Sequence, residues 1–253
     1  MNPKENPVDR TLAMYQWNRL KLAIECAGSH VHVMEPHGGD HLPDMVFAAD
    51  GAFIRGKKAY LGNSIFNERK DERNFYQAWL QKHGYETFGS LDFPFEGEGD
   101  ARWVGQNQSK LVCGVGNRTD ARVLDDLKQK LKSDDQDDFK VIPLKVVDPK
   151  FFGLDTCFCP LDDELALWYP NALDQDSQKR LKQEMELVPI SESEALKLAC
   201  DAVVIGKTVI LNKGAAETEK TLKRLGYTPE FVDLSEFVKS GGSAKCLTLT
   251  LSL

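Results

Sequence analysis

The chain has 253 residues, of which 42% are hydrophobic and 28% are charged, and its formal net charge is −7 at pH 7. This composition is typical of a folded globular protein, and an acidic chain without a basic stripe argues against nucleic-acid binding and favours a small cationic ligand. No stretch reaches the roughly 18 uncharged apolar residues of a membrane helix, and the N-terminal segment MNPKENPVDR lacks the apolar core of a secretory signal.

The predicted elements begin with a helix over residues 12–26 and a short strand over residues 29–34. From Ala52 onward, two short strand-like runs around a turn recur at intervals of about fifty residues, which indicates an internal repeat. The four pairs are AFIRGKKAYLG from Ala52, ARWVGQNQSKLVCG from Ala101, CFCPLDDELALWYP from Cys157 and DAVVIGKTVILN from Asp201.

Each pair is followed by an amphipathic helical pattern and then by one more apolar run. Two of the helices end in the same signature, with Gly84 and Gly226 at the position after the cap. The unit is therefore strand–strand–helix–strand. The helices are predicted over 71–83, 119–132, 175–186 and 215–225, and the closing strands over 86–91, 139–147, 185–190 and 229–234.

A fifth unit is assembled from the C-terminal run 246–253 together with the N-terminal helix and strand. Joining the chain ends in this way closes a ring and removes exposed sheet edges. The sequence thus predicts an α/β fold, a five-fold pseudosymmetric α/β propeller with repeated strand–strand–helix–strand units around a central site, as a single domain over residues 1–253.

In such a ring the loops that enter the hairpins converge at the centre. Three of these loops carry carboxylates and the fourth carries a thiol. They are PDMVFAAD from Pro43, FEGEGD from Phe95, FGLDT from Phe152 and GGSAKC from Gly241.

Six cysteines stand in the sequence. Since no signal segment is found, we expect a cytoplasmic, reducing compartment and free thiols. Cys157 and Cys159 lack a nearby CxxC or HxxxH partner motif, so we expect no metal site. Gly114-Val115-Gly116 lacks the third glycine of a dinucleotide fingerprint, and we expect no cofactor. Cys246 differs from the others because it follows a glycine loop and opens the terminal apolar run, where a thiol can face a pocket.

The four loop motifs, in this order and on this repeat, resemble those of the guanidine-modifying superfamily, which includes dimethylarginine dimethylaminohydrolases, arginine deiminases and arginine dihydrolases. The resemblance covers nearly the whole chain. The length and the PDMVF motif are most similar to the dimethylaminohydrolases and their single-domain relatives. The resemblance implies a five-fold α/β propeller, in agreement with the repeat. It also implies attack of a cysteine thiolate on a guanidinium carbon, loss of an amine and hydrolysis of a covalent thiouronium intermediate.

Carried over motif by motif, the resemblance implies Cys246 as the nucleophile and Glu96 as the carboxylate that supports a catalytic histidine. Carboxylates can hold two guanidinium N–H groups at once. The implied substrate-binding residues are the carboxylates Asp50 and Asp155, the pocket residues Asp44 and Phe47, and the arginines Arg118 and Arg69, which would hold the amino acid carboxylate. The alternatives are turn residues for Asp50 and Asp155, a helix-start ion pair for Arg118 and a solvated side chain for Arg69.

The chain departs from the family pattern at Gly153, where the resemblance implies the histidine that acts as general acid and base. His37 and His41 lie in a loop predicted as a mobile lid, and we do not expect either to replace it. An engineered inactive enzyme and a natural binding protein both account for this glycine, and the intact remaining motifs favour the first. Loss of an acid/base group costs roughly 10²–10⁴ in rate, so we expect binding with slow or no turnover.

The expected function is hydrolysis of a free guanidino amino acid at a non-peptide C–N bond, with methylated arginine giving citrulline plus methylamine as the preferred reaction. Arginine deimination or dihydrolysis is the main alternative. Ala49 stands where some dimethylaminohydrolases carry a carboxylate, while Asp50 favours single hydrolysis because the dihydrolases resemble one another in having asparagine near this position. A non-catalytic protein that binds arginine derivatives is the alternative from another class. We expect a monomer or homodimer with a small-molecule guanidino partner and no nucleic acid or membrane.

Overall fold

Four three-stranded sheets form the framework of the protein in a computed structural model that describes residues 6–134 and 136–251. In each sheet the first two strands form an antiparallel hairpin, and the third strand pairs in parallel with the second. The predicted strand–strand–helix–strand repeat is confirmed. The strands are β1 (Ala52–Arg55), β2 (Lys58–Leu61), β3 (Glu86–Phe88), β4 (Ala101–Val104), β5 (Lys110–Val115), β6 (Lys140–Lys145), β7 (Phe158–Pro160), β8 (Leu165–Trp168), β9 (Glu186–Pro189), β10 (Val203–Ile205), β11 (Thr208–Asn212) and β12 (Thr228–Val232).

One helix in each unit makes the crossover that a parallel strand pair requires. None of the helices in the described residues is long and apolar enough to cross a membrane. The crossover helices are α2 (Glu72–Lys82), α4 (Val123–Leu131), α5 (Gln175–Lys182) and α7 (Ala216–Arg224), and the others are α1 (Arg10–Cys26), α3 (Gly97–Asp100), α6 (Glu192–Ala195) and α8 (Ser235–Val238).

The crossover helices lie within their predicted ranges, and α2 and α7 end at the predicted glycines, whereas α5 ends four residues earlier than predicted. Gly84 follows α2 with φ +81°, and the N–H of Tyr85 donates to the carbonyl of Leu80 at 3.0 Å, which satisfies an end carbonyl of the helix. Gly226 has the same φ of +81° after α7. Helix α4 starts four residues later than predicted because the N–H of Asp120 donates to the carbonyl of Pro94 instead of entering a helical turn.

The apolar stripe of α4 packs onto the second sheet. Burial of each such aliphatic side chain contributes about 1.5–3 kcal/mol to folding. The Tyr60 hydroxyl on β2 donates to Asp126 Oδ2 at 2.6 Å and ties this helix to the first sheet as well. The buried stripe consists of Val123, Leu124, Leu127 and Leu131.

The fifth unit is only partly as predicted. Helix α1 is present, but residues 29–34 and 246–251 are not strands, and residues 252–253 of the predicted strand lie outside the described residues. The reason is that backbone groups of the C-terminal run bond to the central loops. The carbonyl of Cys246 accepts from the N–H of Ala49 at 3.1 Å, and the N–H of Thr250 donates to Glu98 Oε2 at 2.7 Å.

The two ends of the chain nevertheless meet. Gln16 Nε2 on α1 donates to Ser235 Oγ at 2.8 Å, and the N–H of Glu236 donates to Gln16 Oε1 at 3.0 Å. The N–H of Asp9 donates to Glu236 Oε2 at 2.8 Å. Helix α1 therefore docks on the C-terminal part of the chain, as the ring prediction requires.

Candidate active site

The loops that precede the sheets surround one cavity of about 410 Å³. Separate loops converge on this cavity, and its wall contains every site residue that was predicted from the sequence. The individual roles of these residues remain predictions. These wall residues are Asp44, Phe47, Asp50, Arg69, Glu96, Arg118, Gly153, Asp155 and Cys246.

Cys246 lies in a turn rather than at the start of a strand, and it is 5% exposed. Its Sγ donates a hydrogen bond to Asp155 Oδ2 at 3.0 Å. Burial raises the pKa of the thiol well above its ordinary value, and the nearby carboxyl groups of Asp155, Asp201 and Asp50 raise it further. The free protein therefore holds a neutral thiol, and a cation bound in the cavity would favour the thiolate.

The turn that carries Cys246 is held by Asp201, a fully buried residue that the sequence analysis did not single out. Its carboxylate accepts three backbone hydrogen bonds, from the N–H groups of Ser243 at 2.7 Å, Lys245 at 2.6 Å and Cys246 at 2.9 Å. This contact fixes the position of the thiol. A signal for it was present in the repeat, because an aspartate precedes each of the four hairpins closely, at Asp50, Asp100, Asp155 and Asp201.

Asp155 is 2% exposed and lies between the thiol and Arg102 of β4. Arg102 Nη2 is 3.9 Å from Asp155 Oδ2, and Nη1 donates to the carbonyl of Ala101 at 3.0 Å. Burial raises the pKa of Asp155 well above its ordinary value, and Asp201 raises it further, while the charge of Arg102 opposes the shift. Arg102 was another residue missed in the sequence, since nothing in a strand pattern marks a buried cation.

Glu96 is 2% exposed and faces two arginines across the cavity wall. Its Oε2 is 3.4 Å from Arg118 Nη1 and 3.7 Å from Arg69 Nη1, and its Oε1 accepts from Ser64 Oγ at 3.1 Å. Burial, followed by the neighbouring Asp50, raises the pKa of this carboxyl group to about 8, and the two arginines only partly offset the shift. Glu96 therefore carries a proton near neutral pH.

Glu96→Gln is expected to reduce the pH dependence of stability. The carboxyl pKa rises from 4.5 to about 8 in the folded protein, so the folded state retains a proton that the unfolded state loses between these values. The contribution of Glu96 to stability is thus fully present below the unfolded pKa and is lost as the pH rises through the folded pKa. Thermal unfolding measured from about pH 5 to about pH 9 should show that the Tm of the variant, relative to that of the unchanged protein, increases as the pH rises. A pH-independent difference in Tm contradicts the assignment.

Arg69 is 7% exposed, which excludes the alternative of a solvated side chain. Its guanidinium donates to Asp50 Oδ2 at 2.6 Å and to both oxygens of Glu72 at 2.9 and 2.8 Å. Paired hydrogen bonds of this kind are geometrically specific. Arg69 therefore orients Asp50 toward the cavity, and most of its donors are already engaged within the protein.

Arg118 is the more accessible of the two arginines, with a side chain 20% exposed. Its guanidinium carbon lies 4.2 Å from the ring centre of Phe152 and 5.1 Å from that of Phe66. Contact with aromatic faces holds an arginine in place while leaving edge N–H groups free to bind an anion. The two phenylalanines also line the cavity and were not predicted.

Close packing around Phe47 and Asp44 completes the wall. A Cβ atom on Gly242 would lie 2.4 Å from Phe47 Cε1, so only glycine lets the GGSAKC loop approach this ring. Gly97 has φ +54° and would place a Cβ 2.5 Å from the Ala49 carbonyl oxygen. The carbonyl of Asp44 accepts from Arg69 Nη2 at 3.3 Å.

Gly153 lies in the wall with extended backbone dihedrals, φ −129° and ψ 153°. All five histidines of the chain lie within the described residues, and none of them lines the cavity. His37 and His41, in the predicted lid, are exposed outside it. Position 153 is therefore not replaced by a histidine from elsewhere in the chain.

Comparisons with known proteins agree with this geometry. Residues 2–253 match the family model described as N,N dimethylarginine dimethylhydrolase, eukaryotic. An uncharacterized protein of Caenorhabditis elegans is 36% identical over 247 residues, which cover 96% of this chain and 85% of that protein. The N(G),N(G)-dimethylarginine dimethylaminohydrolase of Mycobacterium tuberculosis is 34% identical over 246 residues, which cover 97% of this chain and 78% of that protein.

A solved structure shows the same fold. The N-terminal domain of ArgZ, an arginine dihydrolase from cyanobacteria crystallised with substrate, superposes with a TM-score of 0.89 at 30% identity, covering 96% of this chain and 87% of that domain. The chain spans only 33% of the full bifunctional arginine dihydrolase/ornithine cyclodeaminase ArgZ of Synechocystis sp.. Taken with the cavity and the family match, these similarities show that the chain is a member of the dimethylarginine dimethylhydrolase family and has the α/β propeller fold of the guanidine-modifying superfamily.

Proposed function

We propose that the protein hydrolyses the guanidino group of a free guanidino amino acid, and that residues 1–253 act as a single domain in doing so. The observation that carries the proposal is the presence of a thiol, Cys246, and two carboxyl groups, Asp50 and Asp155, in the wall of one cavity. The names of the relatives support the substrate class, because one specifies dimethylarginine and the other arginine.

Binding depends on the match between a planar cation and the acidic cavity. A guanidinium offers paired N–H donors, and each charge-assisted hydrogen bond to a carboxylate contributes about 1.5–3 kcal/mol. Asp44, Asp50 and Asp155 are placed to accept them. Arg118, held between two aromatic rings, binds the carboxylate of the amino acid, whereas Arg69 is assigned to positioning Asp50 because its guanidinium is already paired.

The chemistry proceeds through a covalent intermediate. The bound cation lowers the pKa of the Cys246 thiol, and the thiolate attacks the guanidinium carbon to form a C–S bond. The C–N bond to the departing amine breaks as that nitrogen gains a proton. Water then adds to the thiouronium carbon and loses both of its protons as the C=O bond forms and the C–S bond breaks, so that a ureido amino acid leaves with the thiolate restored.

Methylated arginine is the preferred substrate and citrulline plus a methylamine the products. The acidic residue at Asp50 and its fixed contact with Arg69 favour a single hydrolysis. Arginine hydrolysed once to citrulline or twice to ornithine is the second candidate, favoured by the similarity to the ArgZ domain. The glycine at position 153 makes turnover slow in either case, since no histidine lines the cavity in the part of the chain that the structure describes.

Product analysis tests the proposal. The purified protein is incubated with dimethylarginine, monomethylarginine and arginine, and citrulline, ornithine, ammonia and methylamines are followed by mass spectrometry. We expect slow formation of citrulline and methylamine that Cys246→Ser abolishes. Cys26→Ser is the matched control, because this thiol is exposed at the end of α1, away from the cavity, and its loss should leave the rate unchanged.

Calorimetric titration with the same compounds separates the remaining outcomes. Tight binding without any product, in this chain and in Gly153→His, would show a binding protein for arginine derivatives rather than an enzyme. Neither binding nor product with any of the compounds would reject the proposed substrate class.

A further inference from the structure

The carboxyl group of Asp155 occupies the space beside Gly153. A Cβ atom built on Gly153 would lie 2.9 Å from Asp155 Oδ1, which is closer than side-chain carbons approach such an atom. The other oxygen, Oδ2, accepts the hydrogen bond from Cys246 Sγ at 3.0 Å. Asp155 therefore connects the glycine position, where the family resemblance implies a histidine, with the thiol.

Two other carboxyl groups of the wall, those of Glu96 and Asp50, are engaged elsewhere. Glu96 accepts from Ser64 and faces Arg118, and Asp50 accepts from Arg69. Asp155 accepts the hydrogen bond of the thiol at 3.0 Å, whereas Asp201, which also lies beside the thiol, already accepts three backbone hydrogen bonds. Asp155 is the group best placed to take the thiol proton.

Arg102 supplies a second observation. Its Nη2 atom is buried, has no hydrogen-bond partner among the described residues, and points toward Asp155 Oδ2 at 3.9 Å. Arg102 does not line the cavity, so it cannot contact a substrate there. A buried guanidinium nitrogen without a hydrogen-bond acceptor lowers the stability of the folded protein. The positive charge of Arg102 favours the ionised form of the nearby Asp155 carboxyl group.

From these contacts we propose that Asp155 exchanges protons with Cys246, with the departing amine and with the attacking water, in place of a histidine at position 153. Arg102 is a positioning residue whose charge favours the ionised form of Asp155. This inference rests on the proposed function, because it assigns the proton transfers of guanidine hydrolysis.

One carboxyl group can carry the proton transfers at the reacting atoms, and one proton is released to solvent in each turnover. Asp155 Oδ2 takes the proton of the Cys246 thiol as the C–S bond forms, and then gives it to the nitrogen whose C–N bond breaks. The free amine leaves. Asp155 next takes a proton from the water that adds to the thiouronium carbon. When the C–S bond breaks, the sulfur leaves as thiolate and recovers this proton from Asp155, and the second proton of the added water passes to solvent as the ureido C=O bond forms. Both protein groups then return to their starting state.

The charge state of Asp155 depends on all the ionisable groups packed around it. Arg102 favours the carboxylate, and neighbouring carboxyl groups oppose it. The facing groups are the cations Arg102 and Lys245, the carboxyls Asp50 and Asp201, and the thiols Cys157, Cys200 and Cys246.

The first test compares Asp155→Asn in the natural chain and in the Gly153→His background. In the natural chain we expect kcat to fall by at least about 10²-fold. In the Gly153→His background an imidazole can carry the protons, so the same change should lower kcat by less than about tenfold. If Asp155 only holds the guanidinium, the loss will be equal in the two backgrounds and will be seen mainly in KM, and the inference is overturned.

The same assays distinguish failure of this inference from failure of the proposed function. Hydrolysis by Gly153→His with none by the natural chain overturns the role of Asp155 and leaves the guanidine hydrolase proposal intact. No hydrolysis by either protein rejects the proposed function and the inference together.

The second test measures the pH dependence of kcat/KM in Arg102 variants. Arg102→Gln removes the cation and raises the pKa of Asp155, so the acidic limb of the profile should move to higher pH because the ionised form is the active one. Arg102→Lys keeps the charge and should restore the position of the limb. An acidic limb at the same pH in the natural chain and in Arg102→Gln would overturn the role of Arg102. Thermal unfolding of each variant identifies any that do not fold, and Arg102→Met, which also removes the charge, takes the place of Arg102→Gln if that variant is unfolded.

Discussion

Replacing Gly153 with histidine is expected to raise kcat for guanidine hydrolysis by about 10²–10⁴-fold, the usual contribution of a well-placed general acid and base. The extended backbone at this position suits any residue. The new Cβ would meet Asp155 Oδ1 at 2.9 Å, and because this atom is the end of a side chain, the carboxyl group can turn aside without a backbone shift. Steady-state kinetics of Gly153→His with the preferred substrate measure the gain.

Gly153→Ala is the matched control, since it displaces the Asp155 carboxyl group without supplying an imidazole. We expect this variant to be no faster than the natural chain. Free imidazole added to the natural chain should give a smaller gain than the histidine substitution, because Asp155 already occupies part of the space. A folded Gly153→His protein that hydrolyses no guanidino amino acid would show that both the gain and the enzyme proposal are wrong.

Asp201→Ala is expected to lower the free energy of unfolding by about 3 kcal/mol or more. Three backbone N–H groups lose their common acceptor in the interior, and each buried donor left unpaired costs about 1–3 kcal/mol. Activity should fall as well, because one of the three is the N–H of Cys246, whose position sets the approach of the thiol. Urea unfolding followed by fluorescence gives the free energy, and kinetics at a temperature well below Tm gives the activity.

Asp162→Ala provides the comparison for this prediction. Asp162 also accepts two backbone N–H groups, from Glu164 and Leu165, but it is exposed, so water can replace its carboxylate. The loss of stability should be much smaller than for Asp201→Ala. Equal losses for the two variants would mean that burial of the Asp201 contacts has little energetic weight.

Much of the fold could be predicted because the deciding interactions are local. Val123 and Leu127 are spaced with the period of a helix. Gly84 follows α2 at a position where the backbone has a positive φ, which glycine adopts readily. Hairpin turns between short apolar runs define the strands in the same way. The strand–strand–helix–strand pattern occurs four times, so the assignment of each element is supported by the equivalent element in the other three units.

The fifth unit could not be predicted correctly because its backbone partners are distant in sequence. The hydrophobic run after Cys246 has the composition of a strand, but the carbonyl of Cys246 bonds to Ala49 and the N–H of Thr250 bonds to Glu98. Such tertiary contacts override the strand propensity of the run. The alternation of residues alone does not reveal them.

The site residues that belong to loop motifs could be predicted from the sequence, whereas the residues that hold them in place from behind the cavity wall could not. Glu96 and Asp155 stand in recognisable loops and do line the cavity. Asp201 and Arg102 act through groups behind the cavity wall, and their importance depends on burial and on neighbours that no local pattern encodes. The pairing of Arg69 with Asp50 and Glu72 likewise emerges only when three separate positions are brought together.

The aspartates that precede the four sheets show how a repeated architecture acquires unlike parts. Each copy enters the centre from an equivalent place, yet its chemical character is set by its neighbours. The repeated unit thus sets the position of each aspartate, and the differing neighbours of each one set its reactivity. Such a ring can alter what it recognises by changing the surroundings of one copy while the others preserve the scaffold. The four neighbours are Arg69 for Asp50, Thr119 for Asp100, Cys246 for Asp155 and the backbone N–H groups of 243, 245 and 246 for Asp201.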